Sequence, residues 1–131
     1  MINKREQTKA ILRISMSLVF LYFGYQQISS PDSWIGFVPE FLTKSFLTPN
    51  NLVLANGILE ISLGIFMILG LYTRFASLIL SLHLFGIAFS IGYVPTGVRD
   101  FGLAFATLVV FLNGADIYTL DKKFRKVKVN N

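Results

Sequence analysis

The chain has no cysteine. That excludes disulfides, thiolate metal sites and CxxC redox chemistry in any compartment. Its 131 residues include one histidine, too few for bis-histidine haem ligation within a single copy. Charge is scarce: 15% of residues are Asp, Glu, Lys or Arg, against about 25% in an average soluble domain. No GxGxxG, P-loop, HExxH or nucleophile-elbow motif occurs, and no Ser/His/Asp set has a recognisable spacing. Neither a self-contained catalytic domain nor a metal site is expected.

What the chain does have is apolar length. Hydrophobic residues make up 53% and the mean hydropathy is +0.61. There is too little polar surface here to clothe a water-soluble core, so part of the solvent must be lipid. A membrane-spanning helix needs about 20 mostly apolar residues. Four stretches supply them, at about 10–28, 51–71, 74–94 and 98–118, followed by a basic tail over 119–131. Pro31, Pro39 and Pro49 punctuate the first loop, and "PTG" at 95–97 punctuates the third. The middle turn, "LYTR", is so short that the second and third spans form an antiparallel hairpin, expected at the centre of the bundle. The reading is a single all-α domain, an integral membrane four-helix bundle, antiparallel, with a short interfacial helix in the first outer loop. That helix is placed in "PEFLTKSFL", starting at Pro39, with Phe41, Leu42 and Phe46 near one face. With Trp34 and Phe37 it would lid the outer mouth or anchor the interface.

The charges are unevenly placed. Lys4, Arg5 and Lys9 precede the first span, Arg74 lies in the middle turn, and Lys122, Lys123, Arg125, Lys126 and Lys128 follow the fourth. The other side holds only Lys44 and Arg99. Lys and Arg collect on the cytoplasmic side, so a multi-pass protein of the cell membrane with both termini cytoplasmic is expected. The net charge of +5 reads as topology signal and contact with anionic lipid; no aromatic or motif signal for nucleic acid accompanies it. The first span has a basic start like a signal peptide. However, its apolar core is long and contains Arg13, and "QQISSPDS" lacks a cleavage pattern, so it is read as retained.

One carboxylate stands out in "GILEISLG", residues 57–64. Glu60 lies about twelve residues before the turn at Tyr72, and His83 about eleven after it. At 1.5 Å per residue both are roughly 16–18 Å from the turn, so the two can meet if their faces match. Asn56 is one turn from Glu60 on the same face, and Gly57 and Gly64 allow close helix approach. Ionisable groups inside a membrane are by default candidates for function. The competing reading is a hydrogen-bond network that fixes helix register. If Glu60 and His83 pair, they form a coupled unit able to pass protons or bind the carbonyl of a ring ligand. At the outer end, Gln26 and Gln27 close the first span and "VRD" at 98–100 opens the fourth. Arg99 would face the mouth of a pocket and bind an anionic or carbonyl group, while Asp100 in a first helical turn would be held by the helix dipole. Arg13 leans toward the cytoplasm, where Asp116 is a better-levelled partner than Glu60; snorkelling is the alternative.

These pieces resemble a known family. Arg13 with "VFLYFGYQQI" (19–28), "NGILEISLGIFMILGLYTR" (56–74), "VRDFGLA" (98–104) and "GADIYTLD" (114–121) are together similar to the DoxX-like family of small four-span membrane proteins, over nearly the whole chain. The resemblance implies a membrane subunit of a quinone-linked oxidoreductase system. Glu60 and His83 would then be the catalytic pair, with Asn56, Arg99, Asp100 and Gln27 holding the quinone. The expected partners are the lipid bilayer and an oxidoreductase subunit, with a homo-oligomer also allowed. A second reading, drawn from distant relatives, is a non-enzymatic membrane scaffold or chaperone. A third is a carrier of a small apolar molecule or proton.

Overall fold

A computed structural model describes residues 3–38, 40–44 and 47–130. Among these residues six α-helices follow one another: α1 (Lys4–Ser29), α2 (Glu40–Thr43), α3 (Pro49–Leu69), α4 (Thr73–Ile91), α5 (Pro95–Asn113) and α6 (Leu120–Asn130), with a 3₁₀ helix over Pro31–Phe37 between the first two. Among the described residues there is no strand.

The helix ends follow local chemistry. Asn3 caps α1 by accepting from the Arg5 N–H at 3.0 Å. Thr48 caps α3 by accepting from the Asn51 N–H at 3.2 Å, with Pro49 as the first helical residue. The end of α3 is set by Gly70, left-handed at φ 76°, and by the Leu71 N–H donating to the Phe66 carbonyl at 2.8 Å. A side chain at Gly70 would also collide with Thr119, so this position is glycine for two reasons.

The long helices α1, α3, α4 and α5 form an antiparallel four-helix bundle. Helix α1 packs most closely on α3, and α4 on α5; lighter α1–α5 and α3–α4 contacts close the ring. Gly24 and Gly57 make the α1–α3 crossing. A Cβ on Gly24 would lie 2.6 Å from Ile61 Cγ1 and 2.9 Å from the Gly57 carbonyl oxygen, and one on Gly57 would lie 2.9 Å from the Gly24 carbonyl oxygen. The shared core contains Met16, Phe20, Leu63, Met67, Leu80, Leu84 and Val110.

The radial pattern is that of a membrane protein. Ile11, Leu18, Ile58, Ile65, Phe75, Leu82, Phe89, Phe105 and Leu112 point outward and are exposed, while Arg13, Ser17, Glu60, Ser77, Ser81 and Thr107 are buried. The hydroxyls of Ser17, Ser77, Ser81 and Thr107 donate to backbone carbonyls. Ser81 does so across helices, to Ala104 at 3.0 Å; Ser17, Ser77 and Thr107 do so one turn back, at 2.6–2.8 Å. Such internal pairing is what a bilayer demands, because lipid offers no hydrogen bonds. Helices α3, α4 and α5 are long and apolar enough to cross a membrane. Helix α1, with 26 residues, is longer, and its one central charge, Arg13, turns inward.

Several expectations shift. The hairpin of α3 and α4 forms, but these helices are not the central packed pair: the glycine crossing draws α3 onto α1 instead. Helix α1 starts at Lys4, ahead of the expected 10–28 stretch. The fourth helix runs over Pro95–Asn113 rather than 98–118, because Pro95 suits a first helical turn and Gly114, at φ 70°, ends it. The basic tail folds as a helix, α6. In the first loop α2 is only four residues long. Leu42 faces inward to a cavity while Phe41 is exposed; Pro39 and Phe46 lie outside the described residues.

Candidate functional site

A cavity of about 590 Å³ occupies the half of the bundle that holds the C-terminal end of α1 and the start of α5. All six residues singled out from the sequence line it: Gln27 from α1, Asn56 and Glu60 from α3, His83 from α4, and Arg99 and Asp100 from α5. Glu60 is 3% exposed, so its carboxylate faces the bundle interior and not the acyl chains.

The polar groups form a short chain. The Asn56 amide donates to Gln27 Oε1 at 2.6 Å and to Glu60 Oε1 at 3.1 Å, and the Gln27 amide donates to Glu60 Oε2 at 3.4 Å. Each carboxyl oxygen of Glu60 therefore has an amide donor, and its orientation is fixed. On the other side, His83 Nε2 stands 3.9 Å from Glu60 Oε1. The depth match read from the turn is met, yet that separation exceeds hydrogen-bond length. His83 Nε2 is buried, and no hydrogen-bond partner for it occurs among the described residues. It is a polar atom held against an apolar cavity beside a carboxyl group.

Arg99 and Asp100 mark the far end of the cavity. Arg99 Nη2 and Nε donate to Asp100 Oδ1 at 3.0 and 3.2 Å. The guanidinium also lies 5.1 Å from the centre of the Phe23 ring, a cation–π distance. Trp34 meets the same ring edge-on at 5.8 Å, and Phe37 follows at 5.7 Å. The 3₁₀ helix thus lays aromatic rings over the end of the cavity nearest Arg99. Of the two roles expected for this loop, lid or interface anchor, the rings take the first: Trp34 and Phe37 both line the cavity, although neither was counted among the site residues. The dipole account of Asp100 is corrected. Helix α5 begins at Pro95, so Asp100 lies beyond its first turn; it is held by Arg99 instead.

A second polar cluster lies at the other end of the bundle, about 10 Å along α3 from Glu60 at helical rise. Arg13 is buried at 2% exposure, so it does not snorkel. Its Nε donates to Asp116 Oδ2 at 2.8 Å and its Nη1 donates to the Met67 and Ile68 carbonyls at 3.0 and 2.7 Å. The cation sits on the C-terminal carbonyls of α3, where the helix dipole favours it. Asp116 Oδ1 also accepts from the Tyr118 N–H at 2.9 Å. Beside it, Asp121 caps α4 by accepting from the Tyr72 and Thr73 N–H groups and the Thr73 hydroxyl at 2.7–2.8 Å. Two motif segments distant in sequence, "GLYTR" and "GADIYTLD", are thus clamped together. This cluster is fully paired, and it fixes the bundle without facing the cavity.

Fold and site together define a small membrane protein with a polar centre at the side of an apolar cavity. A family model described as DoxX matches residues 8–93, and the chain belongs to the DoxX family. The matched stretch holds Gln27, Asn56, Glu60 and His83, while Arg99, Asp100 and the clamp at 114–121 follow it. Searches of curated proteins and of solved structures gave no significant match.

Proposed function

We propose that this protein is the membrane subunit of a quinone-linked oxidoreductase system and that the cavity holds the quinone ring beside Glu60 and His83. The observation that carries the reading is the unpaired, buried His83 Nε2 with a carboxyl group 3.9 Å away. Leaving such an atom unsatisfied costs about 1–3 kcal/mol, which a ligand oxygen would return. Cavities of roughly 300–1,000 Å³ with few polar groups on apolar walls suit small molecules, and this one fits.

A bound quinone takes up two electrons and two protons on reduction. The chain's own residues supply the setting. His83 Nε2 bonds a ring oxygen, and Glu60, oriented by Asn56 and Gln27, passes a proton. Phe23 and Trp34 flank the flat ring, and Arg99 holds its polar edge. The electrons come from a partner subunit. The same proposal puts the protein in the cell membrane with both termini cytoplasmic, on the distribution of Lys and Arg.

The test is to purify the protein in mild detergent and identify co-extracted lipids by mass spectrometry. Quinone affinity is then measured for the parent, Glu60→Gln and His83→Ala. Bound quinone and at least tenfold weaker binding in both variants are expected. No quinone in the extract together with unchanged affinities would defeat the reading. It would favour the scaffold alternative, in which Glu60→Gln lowers thermal stability and nothing else.

A further inference from the structure

The cavity is walled unevenly. The α1–α3 and α4–α5 contacts are close, whereas α3–α4 and α1–α5 touch lightly; between α1 and α5 the Arg99 guanidinium lies over the Phe23 ring and covers the gap. On the α3–α4 side the lining residues Ala55, Leu82, Gly86 and Ser90 are also exposed on the outer surface, so they form a rim and not a floor. A Cβ at Gly86 would meet nothing within 4 Å, so there is open space where a side chain would close the gap. The rim's one free hydroxyl is spent locally, since Ser90 donates to the Gly86 carbonyl at 2.8 Å. That leaves an edge with little appetite for water.

Depth decides what this opening faces. Gly86 lies five residues inside the end of α4 at Ile91, and Ala55 six inside the start of α3 at Pro49. At 1.5 Å per residue these are about 8–9 Å below the helix ends, at the level of acyl chains and not of headgroups. The end of the cavity that does point toward the helix termini carries the Trp34–Phe23–Arg99 stack.

We infer that the site is loaded sideways from the bilayer, through the α3–α4 seam at Gly86, and that it selects amphiphiles whose long apolar tail stays in that seam while the polar head reaches Glu60 and His83. This rests on reading the cavity as a ligand site, and it adds the route and the substrate class: tailed, membrane-dissolved molecules over their tail-less headgroups.

The chain offers its own reporter, because its single tryptophan, Trp34, lines the cavity. Quenching of Trp34 in detergent micelles would be titrated with two probes, a tail-less dimethoxy-benzoquinone and the same ring bearing a decyl tail. The parent protein should bind the tailed probe at least tenfold more tightly. Gly86→Phe, and Ala55→Phe across the seam, should each weaken the tailed probe about tenfold and leave the tail-less one within twofold. Leu112→Phe, on an outward face away from the cavity, should change neither. Melting temperatures of the variants close to the parent's confirm that the fold is kept. Equal loss for both probes, or no loss for either, overturns the lateral route while leaving the ligand site standing. Failure of both probes to quench the parent protein overturns the ligand reading itself, and the route with it.

Discussion

Replacing Asp116 with alanine tests the bundle's stability at its most concentrated point. The variant leaves the Arg13 guanidinium in place, 2% exposed, with the Met67 and Ile68 carbonyls but no counter-charge. Removing one partner of a buried ion pair typically costs ~3–5 kcal/mol, because the remaining charge is uncompensated. The loss here should sit within that range, since Asp116 also holds the Tyr118 N–H. For a chain of this size it corresponds to a fall of about 10–20 °C in melting temperature. The assay is thermal unfolding in one detergent, followed by circular dichroism, for Asp116→Ala, Arg13→Met and the double variant. The double variant lacks both buried charges, so it should be more stable than the sum of the single losses requires, with a coupling of at least about 2 kcal/mol. Strict additivity, with coupling below about 0.5 kcal/mol, would refute the claim that the two side chains act as one buried unit. Quinone binding should survive in the variants that fold, because the cluster is well separated from the cavity.

Other outcomes follow from the same structure. Gly24→Leu should destabilise by about 1–3 kcal/mol or more, since even a Cβ there runs into Ile61 and the Gly57 backbone; a melting curve reads it. Asp121→Ala removes the acceptor for three donors at the start of α4 and should cost about 0.5–2 kcal/mol, with faster amide hydrogen exchange at Tyr72 and Thr73. Glu6, outside the membrane, is partly desolvated, which raises its pKa. The Lys9 hydrogen bond and charge, Lys122 and the Ile117 N–H outweigh that and hold it below its ordinary value. A depressed carboxyl stabilises the fold above the unfolded value of about 4.3 and loses that contribution as pH falls through the folded value. Glu6→Gln should therefore lower the melting temperature slightly at neutral pH, match the parent at acid pH, and so flatten the decline as pH falls below about 4.3; an identical decline in the variant would contradict this.

Much of the site was legible because helical rise is a ruler. Counting from Tyr72 placed Glu60 and His83 at one depth, and the i, i+4 spacing put Asn56 beside Glu60. The lean of side chains toward helix N-termini directed Arg13 to Asp116. What could not be read depends on segments without periodicity. The Trp34 and Phe37 rings reach the cavity through a 3₁₀ helix, whose path no repeat announces. The cap on α4 comes from Asp121, whereas sequence rules look for a cap in the residue just before a helix; Tyr72 occupies that place with φ 48°. The loose α3–α4 seam was hidden for a related reason. A short turn says that two helices are neighbours but not how closely they pack, and here the glycines that set packing face α1.

The clamp of Asp121 on Thr73 also bears on how the protein is made. A ribosome delivers the start of α4 well before the residue that caps it, 48 positions later. During synthesis the middle turn waits with bare N–H groups, and the Met67 and Ile68 carbonyls hold Arg13 before Asp116 arrives to neutralise it. The two ties at this end of the bundle therefore form only after residue 121 has left the exit tunnel, and a nascent chain stopped short of residue 116 would carry its four long helices without either the Asp116–Arg13 pair or the Asp121 cap.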